Sequence, residues 1–234
     1  MDRQEIFNSL WRLRDRDLAL LVSFLAVRRI DLMESPDEAL RTCRRASEAG
    51  DPQAQHALAK LLWTGLANSR DDHAAFQWCS RASDQGYLPA KVMLAGFYMS
   101  GIGIRQDSEQ SKTLLEEAAA AGSADATDLL GTMYAEGLGV ERDLGRAIEL
   151  WRRASLTGHT GAQTRLGNEL IGSSMSNEVD EGVEWLRKAA NGGSYSAHYT
   201  LGNLYEIGGG GLPKDPELAA RHRSAAAALE AGGT

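Results

Sequence analysis

The chain has 234 residues, with 25 Lys and Arg against 32 Asp and Glu and a formal charge of -7. That balance excludes a general binder of phosphate backbones, which needs clustered Lys and Arg. Hydrophobic residues at 43%, five prolines and two cysteines exclude a long disordered chain and a disulfide-stapled scaffold, leaving a core-forming soluble class.

Residues 1–36 are predicted to hold N-terminal capping helices and the start of a degenerate repeat. Ile6 and Leu10, then Leu18, Leu21, Val22 and Leu25, follow helical spacing, with a charged stretch from 12 to 17 between them. Phe7 and Trp11 ride on the first of these helices. They are candidate partner contacts, because aromatic anchors often dominate interface energy. The apolar run 18–27 lies behind many charges, lacks a secretory leader pattern and is too short to span a bilayer. A cytoplasmic protein with no membrane partner is expected.

From residue 37 onward the chain copies one unit. Gly50, Gly86, Gly122 and Gly158 are separated by 36 positions, as are Ala54, Ala90, Ala126 and Ala162, and Leu58, Leu94, Leu130 and Leu166. Asp71, Asp107 and Asp143 keep the same step. A period in this range signals stacked repeats. Full repeats are placed at 51–86, 87–122, 123–158, 159–193 and 194–232, inside an array spanning 37–234.

The unit 123–158 shows the local logic. Ala126, Leu130, Met133, Tyr134 and Gly137 form the apolar stripe of a first helix. Glycines at 137 and 139 interrupt it. Asp143 stands where the N-cap of a second helix belongs, ahead of Ala147, Leu150, Trp151 and Ala154, and Gly158 closes that run. A lone helix pair cannot bury both apolar faces, so neighbours must stack. Unit 159–193 is one residue short, with Gly-Ser-Ser-Met-Ser at 172–176 in place of the glycine turn. It is therefore expected to be the most mobile interior point. Cys43 and Cys79 occupy the same phase one repeat apart. Equivalent helices lie about 8–10 Å apart, too far for a disulfide, so buried free thiols are expected.

The landmarks Ala126, Leu130, Gly131, Tyr134, Gly137, Gly139, Val140, Asp143, Ala147, Trp151, Ala154 and Gly158 resemble the SEL-one-like repeat, a relative of the tetratricopeptide repeat. The resemblance implies an all-α fold: a right-handed helix-turn-helix solenoid of stacked repeats of about 36 residues, with capping helices. It also implies that first helices line the concave face, and that the chain serves as a protein-interaction scaffold, with bacterial relatives in signalling, envelope assembly and secretion.

Chemistry is hard to assemble from the remaining residues. The glycine pairs 101/103 and 137/139 follow helices and lack the Lys-Ser/Thr of a phosphate loop. No histidine pair has a zinc spacing with cysteine, although His198 and His222 can meet across the last helix pair. No catalytic residue, cofactor or metal site is expected, and no nucleic-acid partner. The stripe opposite the first-helix core runs i, i+4, i+7, i+11. Carried by the period, it picks Lys60, Thr64, Met93, Ser100, Thr132, Glu136, Arg165, Asn168, Thr200 and Asn203 as protein-contacting candidates. The expected function is a non-enzymatic adaptor, probing a peptide or protein with this groove. The alternatives are an immunity protein or chaperone for a toxic or secreted effector and, last, a cell-wall-related hydrolase. Oligomeric state is not encoded in any of these features.

Overall fold

The computed structural model describes residues 36–65 and 70–231, and these form helices joined by short turns, with no strand among the described residues. The expected N-terminal capping helices, with Phe7 and Trp11, lie outside the described residues. The helices are α1 (Pro36–Glu48), α2 (Pro52–Thr64), α3 (Asp72–Asp84), α4 (Leu88–Ser100), α5 (Ser108–Ala120), α6 (Ala124–Glu136), α7 (Leu144–Leu156), α8 (Thr160–Leu170), α9 (Ser176–Asn191), α10 (Tyr195–Ile207) and α11 (Pro216–Ala231). Two compact units divide them after Ser123. In each unit consecutive helices pack as stacked helix-turn-helix repeats, so the fold is the all-α repeat array the period predicts.

The periodic aspartates start the second helices. Asp71, Asp107 and Asp143 accept from the backbone N–H of Ala74, Gln110 and Arg146, at 2.9, 3.0 and 2.9 Å. Each satisfies a donor that a helix N-terminus leaves open. Their own N–H groups reach back to Leu62, Tyr98 and Tyr134 carbonyls, each at 2.9 Å, and Asp215 does the same to Tyr205 at 2.8 Å. This double use locks the turn between the two helices of a repeat. Gly103 shows why the turn needs glycine: its φ is +70°, and a Cβ there would sit 2.0 Å from the Asp72 carbonyl oxygen.

The fourth repeat departs from this scheme where the sequence says it should. Helix α8 has 11 residues against 13 in α6, and α9 begins early at Ser176 after a turn with no aspartate lock. Ser173 takes over part of the role. Its hydroxyl accepts from Met175 N–H at 3.1 Å and donates to Glu178.

Side-chain size is matched across each pair. Gly131 of α6 faces Trp151 of α7, and Gly167 of α8 faces Leu186 of α9. At the same phase, α2 and α4 carry Ala59 and Ala95, opposite Cys79 and Leu115 in sequence register. Around Trp151 the buried core gathers Tyr134, Ala147, Ala154, Ala162, Leu166 and Trp185. Cys43 and Cys79 are free and buried, and each thiol donates to the carbonyl of the next repeat's landmark alanine, Ala54 and Ala90. Burial pushes the Cys43 thiol up to about 11, and Cys79 higher still, so both stay protonated and unreactive.

Candidate functional site

The second unit ties its first helices side by side through polar side chains. Arg165 Nη1 of α8 donates to Asp128 Oδ2 of α6 at 2.6 Å. Thr164 Oγ1 and Ser194 Oγ lie 2.9 Å apart, and Thr200 Oγ1 of α10 donates to Asn168 Oδ1 at 3.1 Å. Helices α6, α8 and α10 thus form one layer. The second helices behind them supply support: Trp151 Nε1 donates to the Asp128 carbonyl at 3.2 Å, and Arg153 reaches Thr127 Oγ1 at 3.3 Å.

Asp128 is the centre of this layer. It is buried, one oxygen is held by Arg165, and Oδ1 has no hydrogen-bond partner. Burial raises its carboxyl above the usual range, against the opposing pull of Arg165 and His159. His159 caps α8. Ala162 N–H donates to its Nδ1 at 3.0 Å, so the proton sits on Nε2, which donates to Asp125 Oδ1 at 3.0 Å. Burial pulls the imidazole pKa down, but the Asp125 hydrogen bond and the Asp128 charge outweigh it, and the net direction is up. The same hydrogen bond from His159 lowers Asp125. Asp125 stands at the rim with 73% of its side chain exposed.

The structure sorts the sequence-derived stripe into three groups. Glu136 and Asn168 are exposed; Arg165, Thr200, Asn203, Lys60, Thr64 and Ser100 are half-buried. Thr64 turns its hydroxyl back to the Lys60 carbonyl at 2.9 Å. Met93 and Thr132 are corrections: both are buried, and Thr132 donates to the Asp128 carbonyl at 3.2 Å. The reason is that a first helix also meets its neighbouring first helix, as the edge-on Trp63–Phe97 contact of α2 and α4 at 5.9 Å shows. An apolar Met93 in that seam is drawn inward.

Sequence reasoning missed Asp125, Asp128, His159 and Tyr199. Tyr199 sits one position before the chosen Thr200, and Asp128 one position before Leu129, a stripe position from which no residue was chosen. His159 had a readable signal, since it occupies the position where Asp51 and Ser194 cap their helices. Tyr199 is exposed and stacks on Tyr195 with ring centroids 6.3 Å apart, and Ile207 at the end of α10 is 73% exposed. His198 and His222 do meet, Nδ1 to Nδ1 at 2.9 Å, with Tyr205 stacked on His222 at 5.7 Å. Burial first, then the charges of His198 and Arg187, lower the His222 pKa.

This arrangement offers hydrogen-bond acceptors, an amide and exposed aromatic and aliphatic surface. Among the described residues no three His, Cys, Asp or Glu side chains gather to hold a metal ion, and no helix is long and apolar enough to cross a membrane. Five Sel1 repeats are matched in this chain, at residues 52–87, 88–123, 124–159, 160–194 and 196–230. No curated protein matches it. Among solved structures, it is similar to a Sel1 repeat protein from Oxalobacter formigenes, with TM-score 0.79 and 24% identity over 91% of this chain and 87% of that one. A protective antigen of uropathogenic Escherichia coli is similar at TM-score 0.51 and 26% identity, over 81% of this chain and 48% of that one. An immunity protein from Pseudomonas aeruginosa is similar at TM-score 0.65 and 18% identity, over 94% of this chain and 83% of that one.

Proposed function

The chain belongs to the Sel1 repeat family, whose members generally mediate protein–protein interaction as non-catalytic scaffolds, and from that premise we propose that it is a bacterial adaptor. Its contact surface is the first-helix layer of the second unit. One observation carries this reading. Glu136, Tyr199 and Ile207 remain exposed outside the buried core, and Asn168, which accepts from Thr200 of the next first helix, is exposed beside them. They differ from repeat to repeat, while the alanine, leucine and glycine positions that pack the core recur. Arg165, Asn203 and Thr200 flank them. Lys60 and Thr64 belong to the corresponding layer of the first unit. The free, buried thiols Cys43 and Cys79 support a reducing, cytoplasmic setting.

The test is capture of a partner by the intact chain alongside a Tyr199→Ala, Asn168→Ala double variant. A protein retained by the wild type and lost by the variant, at equal melting temperature, supports the assignment; equal retention rejects it. A second reading is favoured by the likeness to an immunity protein: this chain neutralises a single toxic partner. Co-purification of one protein at equimolar ratio, with inhibition of that protein's toxicity, separates this reading from a hub that holds several.

A further inference from the structure

The last helix of the array is held differently from its sisters. Helix α11 has 16 residues, as α9 does, yet it buries Ala219 and Ala226 where α9 buries Val183, Trp185, Leu186, Ala189 and Ala190. Two methyl groups bring little hydrophobic stabilisation, so polar ties to α10 carry more of the hold. The second and third repeats tie their two helices at one pair of phases. Lys91 Nζ of α4 donates to Glu117 Oε2 of α5 at 2.6 Å, and one period later Arg153 of α7 donates to Thr127 Oγ1 of α6 at 3.3 Å. In the last repeat the second-helix phase holds Ala225, and His198, at the first-helix phase, turns to His222 instead. His222 stands where the other repeats place Trp78, Leu114, Leu150 and Trp185. A titratable tie thus replaces an apolar side chain.

The imidazoles meet Nδ1 to Nδ1 at 2.9 Å, with ring centroids 5.1 Å apart. That contact works with one proton between the facing nitrogens: one Nδ1–H donates and the other Nδ1 accepts. A first added proton goes to Nε2 of the donor ring and leaves the bond in place. A second has the accepting Nδ1 as its site, where it would set N–H against N–H between two cations. The surroundings oppose that second charge. Arg187 of α9 donates to the Tyr205 hydroxyl at 3.2 Å, and the Tyr205 ring stacks on His222. Partial burial first, then the charges of His198 and Arg187, lower the His222 pKa. The carboxylates of these helices have partners of their own: Glu184 pairs with Arg187, Glu206 with Arg223 and Glu217 with Arg221. Asp215 accepts from Glu217 and Leu218 N–H, Lys188 lies over the Trp185 ring, and α8 meets α10 through the neutral Asn168 and Thr200.

We propose that α11 is an acid-released cap: when His198 and His222 are both charged, the helix detaches from α10 and bares the face that carries Gly202 and Tyr205. With α11 docked, the pair refuses its second proton; with α11 released, both imidazoles charge near the ordinary value of about 6.5. The released state therefore binds more protons. Docking is at full strength above about pH 6.5 and weakens as the pH falls below it. The release does not depend on where a partner binds, since Tyr199 and Ile207 are exposed while α11 is docked.

Hydrogen exchange of the full chain at pH 7, 6 and 5, expressed as protection relative to intrinsic rates, tests this. Protection of α11 should fall about tenfold from pH 7 to pH 5 while that of α9 stays within about twofold. Two variants remove the facing pair. His222→Leu installs the residue type of Leu114 and Leu150, and His198→Gln that of Gln55 and Gln163. In either variant α11 protection should vary by less than about twofold over the same range, and either one decides if the other fails to fold by circular dichroism. Flat α11 protection in the wild type overturns the proposal, as does a fall of the same size in the folded variants. Equal loss in α9 and α11 also overturns it, because the unit then opens as a whole.

Discussion

Replacing Gly131 by Ala sets two local effects against each other. An interior helical alanine stabilises by about 1 kcal/mol relative to glycine. Here, however, the new Cβ would meet Trp151 Cδ1 and Nε1 at 2.6 Å each, and the Ala147 carbonyl at 3.2 Å. Ordinary carbon contacts lie at about 3.5–4.0 Å, so the indole must move by about 1 Å. Overpacking of this kind costs about 1–3 kcal/mol. The movement also pulls Trp151 Nε1 away from the Asp128 carbonyl, and a buried donor left unpaired costs about 1–3 kcal/mol more. The expected net loss is about 1–5 kcal/mol, or roughly 2–4 °C of melting temperature for each kcal/mol. Urea denaturation followed by tryptophan fluorescence measures it. Trp151→Leu supplies the second arm, because Leu115 and Ala95 already occupy these two phases in another repeat. In the Trp151→Leu background, Gly131→Ala should be neutral or stabilising. Additive losses in the double variant would refute the size-matching argument, as would a Gly131→Ala protein more stable than the wild type.

Three further outcomes follow from the same contacts. Arg165→Ala leaves buried Asp128 without its closest ion-pair partner and should cost about 1–3 kcal/mol, whereas Arg165→Ala with Asp128→Leu should recover most of it; urea midpoints decide, and no recovery would mean the pair is not the cause. His56 is buried, and burial, then the Lys60 charge, lowers its pKa from 6.5 to about 3. The unfolded chain then takes up a proton between those values while the folded chain does not, so stability is present above pH 6.5 and falls with acidification. Going from pH 6.5 to 5, the wild type should lose about 2 kcal/mol more than His56→Gln, and identical pH slopes would contradict the burial argument. Amides at 172–177, in the turn without an aspartate lock, should exchange faster than those at 137–142; equal rates would show that Ser173 and Glu178 hold the turn as firmly.

The fold was legible because it is written in residues whose roles are local and repeated. Asp71, Asp107 and Asp143 cap helices through their nearest backbone donors, and Gly131 accommodates the Trp151 side chain within its own pair. Such contacts recur with the period and need no knowledge of the neighbours. The candidate site was only partly legible for the opposite reason. Helical phase placed Arg165, Asn168 and Glu136 on the first-helix layer, but it treated that layer as uniform. Whether a residue there is exposed depends on what the adjacent first helix presents. Met93 met an apolar seam and was buried, while Arg165 at the same phase found Asp128 and stayed half-exposed. Asp128 itself, an ionisable residue off the stripe, had no local signature of burial.

The central claim is that the first-helix layer of the second unit meets the partner, and hydroxyl-radical footprinting of the purified complex tests it most directly. Tyr199 and Ile207 lie on α10, and Leu156, at the end of the second helix α7, is an internal reference of matching exposure to Ile207, at 73%. The account predicts that oxidation of Tyr199 and Ile207 drops in the complex while that of Leu156 is unchanged. Protection of Leu156, with Tyr199 and Ile207 oxidised as in the free chain, would contradict it.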